Sequence, residues 1–99
     1  RLFFFASASK LATSLVVLRM VVDGVLALDA PVDRWLPEAA LAGRGITLRH
    51  LLSHRAGLPL DLPPGVVSYG VPTCWRDIAA ALPAIAPVGA VGGGVSYSN

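Results

Sequence analysis

The chain has little charge. Only 14% of its 99 residues are charged, while 55% are hydrophobic, against about 25% charged in ordinary globular chains. A free-standing domain of this size keeps much of its surface in water. The composition therefore predicts a piece of a larger protein, other segments of which cover part of the apolar surface; the start at Arg1 without an initiator Met and the abrupt end at Asn99 fit that expectation. Net charge is +2, with Lys and Arg scattered singly, so no basic patch points to nucleic acid as a partner. The single cysteine, Cys74, excludes an internal disulfide. Long apolar runs are also missing. Leu11 to Val22 is interrupted by Thr13, Ser14 and Arg19 and is too short to span a bilayer, and Leu2 to Phe5 is far too short for the core of a signal peptide. Gly-x-Ser-x-Gly does not occur, which removes the nucleophile elbow. Gly89 to Gly94 has the glycine spacing of a phosphate loop, but Val95 stands where its lysine must be. Asp33 and Glu38 near a turn are too little for a glycosidase pair.

What is present is organised around Ser7-Ala8-Ser9-Lys10. A serine hydroxyl is a weak nucleophile until a base takes its proton. At i and i+3 on a helix the two side chains share one face, so the amine can reach the hydroxyl. Apolar neighbours surround the pair in sequence, Phe3 to Phe5 before it and Leu11, Leu15, Val16 and Val17 after it. Such surroundings disfavour an ammonium and would leave Lys10 ready to act as a base. Ser7 at a helix start would also lie beside free backbone N–H groups that suit a developing oxyanion. By itself Ser-x-x-Lys is a common string, and a helix-capping serine beside a solvated lysine is its ordinary origin.

The coarse reading is mostly helical. Leu2 to Phe5 is predicted as a buried strand, and Ser7 to about Val22 as a central helix, apolar on most faces, stopped by Asp23-Gly24. Val25 to Leu28 reads as a short extended piece. Asp29-Ala30-Pro31 caps a brief helix through Trp35 that Pro37 ends. Thr47 caps a helix from Leu48 to His54, closed near Gly57. Leu58 to Pro72 is a long ordered loop suited to form a site wall. Thr73 caps a helix from Cys74 to Leu82, a loop follows from Pro83 to Gly94, and Val95 to Tyr97 is a strand or extended edge.

Two further groups carry chemistry. In an extended chain Tyr97 and Asn99, at i and i+2, face the same way; a phenol can relay a proton, and a carboxamide can hold a substrate amide or the lysine. His50 and His54 stand at i and i+4, a metal-ligand spacing. They have no adjacent Glu and no third ligand cluster, so they read as structural histidines paired with backbone, and no metal or cofactor is expected.

Taken in order, these strings resemble the serine β-lactamase and penicillin-binding-protein superfamily, closest to its class C β-lactamase and esterase branch. The matching segments are Phe5 to Lys10, Gly24 to Val32 with Trp35 to Glu38, Ile46 to Pro59, and Ser96-Tyr97-Ser98-Asn99. The Tyr-x-Asn form points to this branch. The resemblance implies an α/β (α+β) fold, an antiparallel sheet flanked by helices with a helical region. Residues 1–99 would supply a partial, mostly helical domain lacking the N-terminal strands and the later Thr-Gly strand. It implies Ser7 as the acylated nucleophile, Lys10 as its base, Tyr97 in proton transfer, Asn99 orienting the acyl group, and the Ser7 backbone N–H as half of an oxyanion hole. The substrate would be an ester, a β-lactam or a D-alanyl peptide, with the esterase reading first. The alternatives are a catalytically inactive or penicillin-sensing binding domain, a remnant, or a purely structural helical fragment. The 99 residues alone are expected to be inactive. Members of the superfamily are often periplasmic, secreted or membrane-anchored and some are cytoplasmic, so no compartment is assigned. Val91-Gly92 stands where Pro-Gly usually precedes the tyrosine.

Overall fold

The computed structural model describes residues 5–37, 43–66 and 72–99. Its elements are helical: α1 (Ser9–Val22), α2 (Leu48–Leu52) and α3 (Trp75–Ala81), with single 3-10 turns at Ala6–Ala8, Val32–Arg34 and Leu82–Ala84. Among the described residues there is no strand, only an isolated antiparallel bridge between Pro31 and Thr47. The strand expected at Leu2 to Phe5 lies almost wholly outside the described residues, and Phe5 itself precedes the first 3-10 turn. Residues 95–97 are irregular in backbone. Ser96 N–H and Asn99 N–H donate to the carbonyls of His54 and Leu60, so this segment is tied to the 54–60 stretch without forming a ladder.

The first turn corrects one expectation. The α-helix begins at Ser9, and Ser7 sits in the 3-10 turn ahead of it. Ala6 there has φ +45°, a left-handed conformation that a residue with a Cβ adopts at a cost. Ser9 Oγ–H donates to the Ala6 carbonyl at 2.7 Å. Lys10, three residues on, lies in the first turn of α1 and reaches back to Ser7 across the junction of the two helical turns.

α1 ends in a Schellman arrangement. Gly24 takes the left-handed position at φ +74°, Val25 N–H donates to the Met20 carbonyl at 2.9 Å and Gly24 N–H to Val21 at 3.1 Å. Val25 and Leu26 both bond back to Met20, so the predicted extended piece is a turn. α2 ends the same way, two residues earlier than predicted: His54 N–H donates to Leu51 at 3.1 Å and Arg55 N–H to His50 at 2.8 Å. The left-handed residue here is His54, at φ +55°. Gly57 therefore does not close the helix. It lets two backbones meet, since a Cβ on Gly57 would fall 2.2 Å from the Gly89 carbonyl oxygen.

The start of α2 follows the sequence. Thr47 Oγ1 accepts the His50 N–H at 3.3 Å and His50 Nδ1 accepts the Thr47 N–H at 3.2 Å, a reciprocal cap with histidine in the place of the usual Glu or Gln. Asp29, predicted to cap the next short helix, instead holds the guanidinium of Arg49 at 2.6 and 2.9 Å. That hydrogen-bonded cation keeps the Asp29 carboxyl below its ordinary range. The brief helix before Trp35 is a 3-10 turn, and α3 starts at Trp75 with Cys74 as its cap residue.

The core is small: Val32, Ile46 and Ala56 are buried, with Leu48, Leu51, Leu58 and Val91 packed on them. α1 buries none of its residues, and Leu11, Leu15, Val16, Leu18 and Val22 are exposed. The expectation of a central, buried helix is corrected: its apolar faces meet nothing large among the described residues. No helix among them is long and apolar enough to cross a membrane.

Candidate active site

The site forms where the N-terminal end of α1 meets the chain's last four residues. Lys10 Nζ donates to Ser7 Oγ at 3.3 Å and to Asn99 Oδ1 at 2.9 Å. Tyr97 O–H donates to Ser7 Oγ at 3.0 Å. Lys10 Nζ also lies 5.3 Å from the centre of the Tyr97 ring, over its face. The four residues picked out in the sequence thus form one connected group: Lys10 and Tyr97 meet on the Ser7 hydroxyl and Asn99 holds Lys10, with Tyr97 and Asn99 coming from about ninety positions away. Ser7 and Lys10 are brought together by local helical spacing, Tyr97 and Asn99 by the tie of residues 96–99 to residues 54–60.

The surroundings of Lys10 differ from the prediction. Its nitrogen touches a hydroxyl, a carboxamide and a phenol ring, not the apolar side chains beside it in sequence. Leu11, Leu15 and Val16 are exposed, and Phe3 and Phe4 lie outside the described residues. Tyr97 titrates below its ordinary value of 10.0, first because the Ser7 hydroxyl can turn its hydrogen to the phenolate and second because Lys10 bonds and attracts it. A hydroxyl with an amine and a phenol both in contact is equipped for proton transfer in either direction.

Two residues that sequence reasoning did not place in the site belong to its frame. The His54 ring stacks on Tyr97 with centroids 4.6 Å apart and planes 30° off parallel. Its Nδ1 accepts the Ser98 N–H at 3.2 Å, and its carbonyl accepts the Ser96 N–H at 2.8 Å. The i, i+4 pair with His50 is therefore split: His50 caps α2 and His54 braces the tyrosine. Among the described residues no cluster of His, Cys, Asp or Glu is arranged to hold a metal. The second residue is Asp61, whose Oδ1 accepts the Asn99 Nδ2–H at 2.7 Å. It lies in the loop predicted as a site wall, which was the signal available for it; residues 67–71 of that loop lie outside the described residues. A cavity of about 290 Å³ opens beside Lys10, between Thr13 and Ser14 of α1, Leu51 and Leu52 of α2, and Ser96, Ser98 and Asn99.

The chain was compared with known proteins. A family model described as Beta-lactamase matches residues 1–99. Esterase EstB of Burkholderia gladioli is 52% identical over 72 residues, covering 68% of this chain and 18% of that protein. Penicillin-binding protein 4* of Bacillus subtilis is 45% identical over 58 residues, covering 59% of the chain and 12% of that protein. Monacolin J acid methylbutanoyltransferase of Aspergillus terreus is 41% identical over 70 residues, covering 54% and 17%. The chain thus spans less than a fifth of these relatives. No solved structure matches it at comparable significance. A family match running from Arg1 to Asn99, joined to a Ser-x-x-Lys turn that meets Tyr-x-Asn in space, assigns the chain to the beta-lactamase family.

Proposed function

We propose that the protein to which this chain belongs is a serine hydrolase of esterase type that works through an acyl-Ser7 intermediate. The observation that carries the reading is the convergence of Lys10 and Tyr97 on Ser7 Oγ, at 3.3 and 3.0 Å. Once deprotonated, Lys10 Nζ takes the Ser7 proton, and Oγ attacks the substrate carbonyl carbon. The tetrahedral adduct collapses, the C–O bond to the leaving group breaks, and the leaving alcohol gains a proton from the Tyr97 or Lys10 side. Water then attacks the acyl-serine, the acid departs and Ser7 regains its proton. Asn99 holds Lys10 and faces the bound acyl group. The Ser7 backbone N–H serves as one oxyanion donor. No metal or organic cofactor is called for by these steps.

The name of the Burkholderia gladioli relative supports an ester substrate, and that of the Bacillus subtilis relative supports acylation by a β-lactam. A stable adduct would make the protein a penicillin-binding module; a transient one makes it a hydrolase. The Aspergillus terreus relative, named as an acyltransferase, supports the same acyl-serine with an acceptor other than water.

The test uses the full-length protein with a fluorophosphonate and, separately, a p-nitrophenyl ester. Intact mass and peptide mapping are expected to find one adduct, on Ser7, absent in Ser7→Ala, with ester turnover abolished in the same variant. Undiminished turnover by Ser7→Ala would overturn the reading. An ester or penicillin adduct on Ser7 that never hydrolyses would shift it to the binding module.

A further inference from the structure

The carboxamide of Asn99 is held at both ends. Its Oδ1 accepts from Lys10 Nζ at 2.9 Å, and its Nδ2 donates to Asp61 Oδ1 at 2.7 Å. A carboxylate only accepts, so the end that faces Asp61 has to be the NH2 end. The end that faces Lys10 is then the carbonyl. This matters for a base. A neutral lysine amine has two N–H donors and one lone pair. A carbonyl opposite it takes one N–H and leaves the lone pair for the Ser7 proton, 3.3 Å away. A flipped carboxamide would donate into that lone pair and occupy it.

We propose that Asp61 is a positioning residue: it locks the Asn99 carboxamide in the orientation that keeps the Lys10 lone pair available to Ser7. The inference rests on the acyl-serine reading. The backbone presents Asp61 for this duty, because Asn99 N–H donates to the carbonyl of Leu60, the residue next to it, at 2.7 Å. Ser98 Oγ–H donates to the Pro59 carbonyl in the same stretch. Asp61 and Asn99 are thereby registered against each other by main chain before their side chains meet. Asp61 is exposed, so its effect comes from a directional acceptor and not from a buried charge.

The experiment measures single-turnover acylation of the full-length protein by p-nitrophenyl butyrate in wild type, Asp61→Leu, Asp61→Ala and Asp61→Asn. Removing the acceptor with Leu or Ala is expected to lower the acylation rate constant about 10- to 100-fold, part of the roughly 10²- to 10⁴-fold that a placed base contributes, with KM unchanged. Asp61→Asn keeps an acceptor oxygen and discards the charge, and is expected to recover to within about fivefold of wild type. In an Asn99→Ala background the Asp61→Leu loss is not expected to add, because the group through which it acts is gone. Wild-type rates in both Leu and Ala variants overturn the proposal. So does Asp61→Asn as slow as Asp61→Leu, which would mean that the charge is what counts, or a rise in KM alone, which would mean that Asp61 touches substrate. Additive losses in the Asn99→Ala background overturn it as well. Failure of the acyl-serine reading shows separately, as turnover that survives Ser7→Ala.

Discussion

The segments flanking α2 bury Ile46 fully and Val32 and Ala56 nearly so, and α2 packs Leu48 and Leu51 on them without being buried itself, whereas α1, almost three times as long, neither buries a residue nor contributes to that cluster. The α2 region is held by apolar packing, by the bidentate Arg49–Asp29 pair and by a cap at each helix end. α1 is joined to the far end of the chain chiefly by side-chain polar contacts, Lys10 to Asn99 and Tyr97 to Ser7. Apolar burial is worth roughly 25 cal/mol per Å² but has no direction. A hydrogen bond contributes only about 1 kcal/mol net yet fixes distance and angle. One region therefore supplies stability, and the other supplies placement of reacting atoms. The candidate site lies at their meeting, with Ser7 and Lys10 on the loosely packed side and Tyr97 and Asn99 braced by the α2 side through His54 and residues 59–60.

The sharpest way to break this division is to remove one element from each side. Lys10→Ala in the full-length protein is expected to cut acylation by about 10²- to 10⁴-fold, the range for a placed general base, while the thermal unfolding midpoint barely moves. Ile46→Ala is expected to do the reverse, destabilising by about 2–5 kcal/mol, as for other fully buried Leu or Ile truncations, with acylation by the folded fraction close to wild type. Stopped-flow acylation and thermal unfolding on both variants decide it. A Lys10→Ala protein that unfolds as readily as Ile46→Ala would show that the polar contacts also carry the fold.

How far the sequence reaches follows the same line. Ser7 and Lys10 are legible because their contact depends on local spacing. The stop of α1 is legible because Gly24 is the residue that takes a left-handed position at little cost, and the start of α2 because Thr47 is a strong cap. Tyr97 and Asn99 are legible as a pair from their i, i+2 spacing, but their meeting with Ser7 and Lys10 follows only from the family resemblance, since no local rule brings residues some ninety positions apart together. His54 and Gly57 are where local reading fails: a glycine three residues past a histidine suggests the helix stop, yet the close approach to Gly89 claims the glycine and His54 takes the left-handed turn. Both choices are tertiary, and so is the exposure of α1, whose apolar pattern tells what it could pack against but not what lies there. The sheet that the resemblance implies is not seen here, since among the described residues no strand forms.

The paired helix ends offer a smaller test. α1 and α2 close with the same pattern of backbone bonds, one through Gly24 and one through His54. A histidine there accepts backbone strain that glycine avoids, and what it gains is a ring under Tyr97 and an acceptor for Ser98 N–H. His54→Gly is expected to relieve the strain and leave stability nearly level. Acylation is expected to fall by roughly threefold to tenfold, the size an aromatic stack carries, as the tyrosine loses its brace. Equal rates in the two proteins would place His54 wholly on the stability side of the comparison.

The smallest effect is a shift in titration, and it reads the joint directly. Ser7 and, after it, Lys10 hold the Tyr97 phenol below its ordinary value. The Tyr97 midpoint, taken from the phenolate absorbance difference between wild type and Tyr97→Phe, is therefore expected below 10, and to rise toward it in Ser7→Ala. The linkage has a definite sign. The folded state favours the ionised phenol, so this contribution to stability is fully present above the unfolded value near 10 and is lost as pH falls through the lower folded midpoint. Below the folded midpoint the phenol is protonated in both states, and this pH-dependent contribution is gone. Below that midpoint the Tyr97–Ser7 contact is expected to show in acylation while its pH-dependent share is missing from unfolding, which is the behaviour expected of a contact that places atoms. A Tyr97 midpoint unmoved in Ser7→Ala would mean that Lys10 and not Ser7 holds the phenol low, and that the two regions are coupled there through the lysine and not through the hydroxyl.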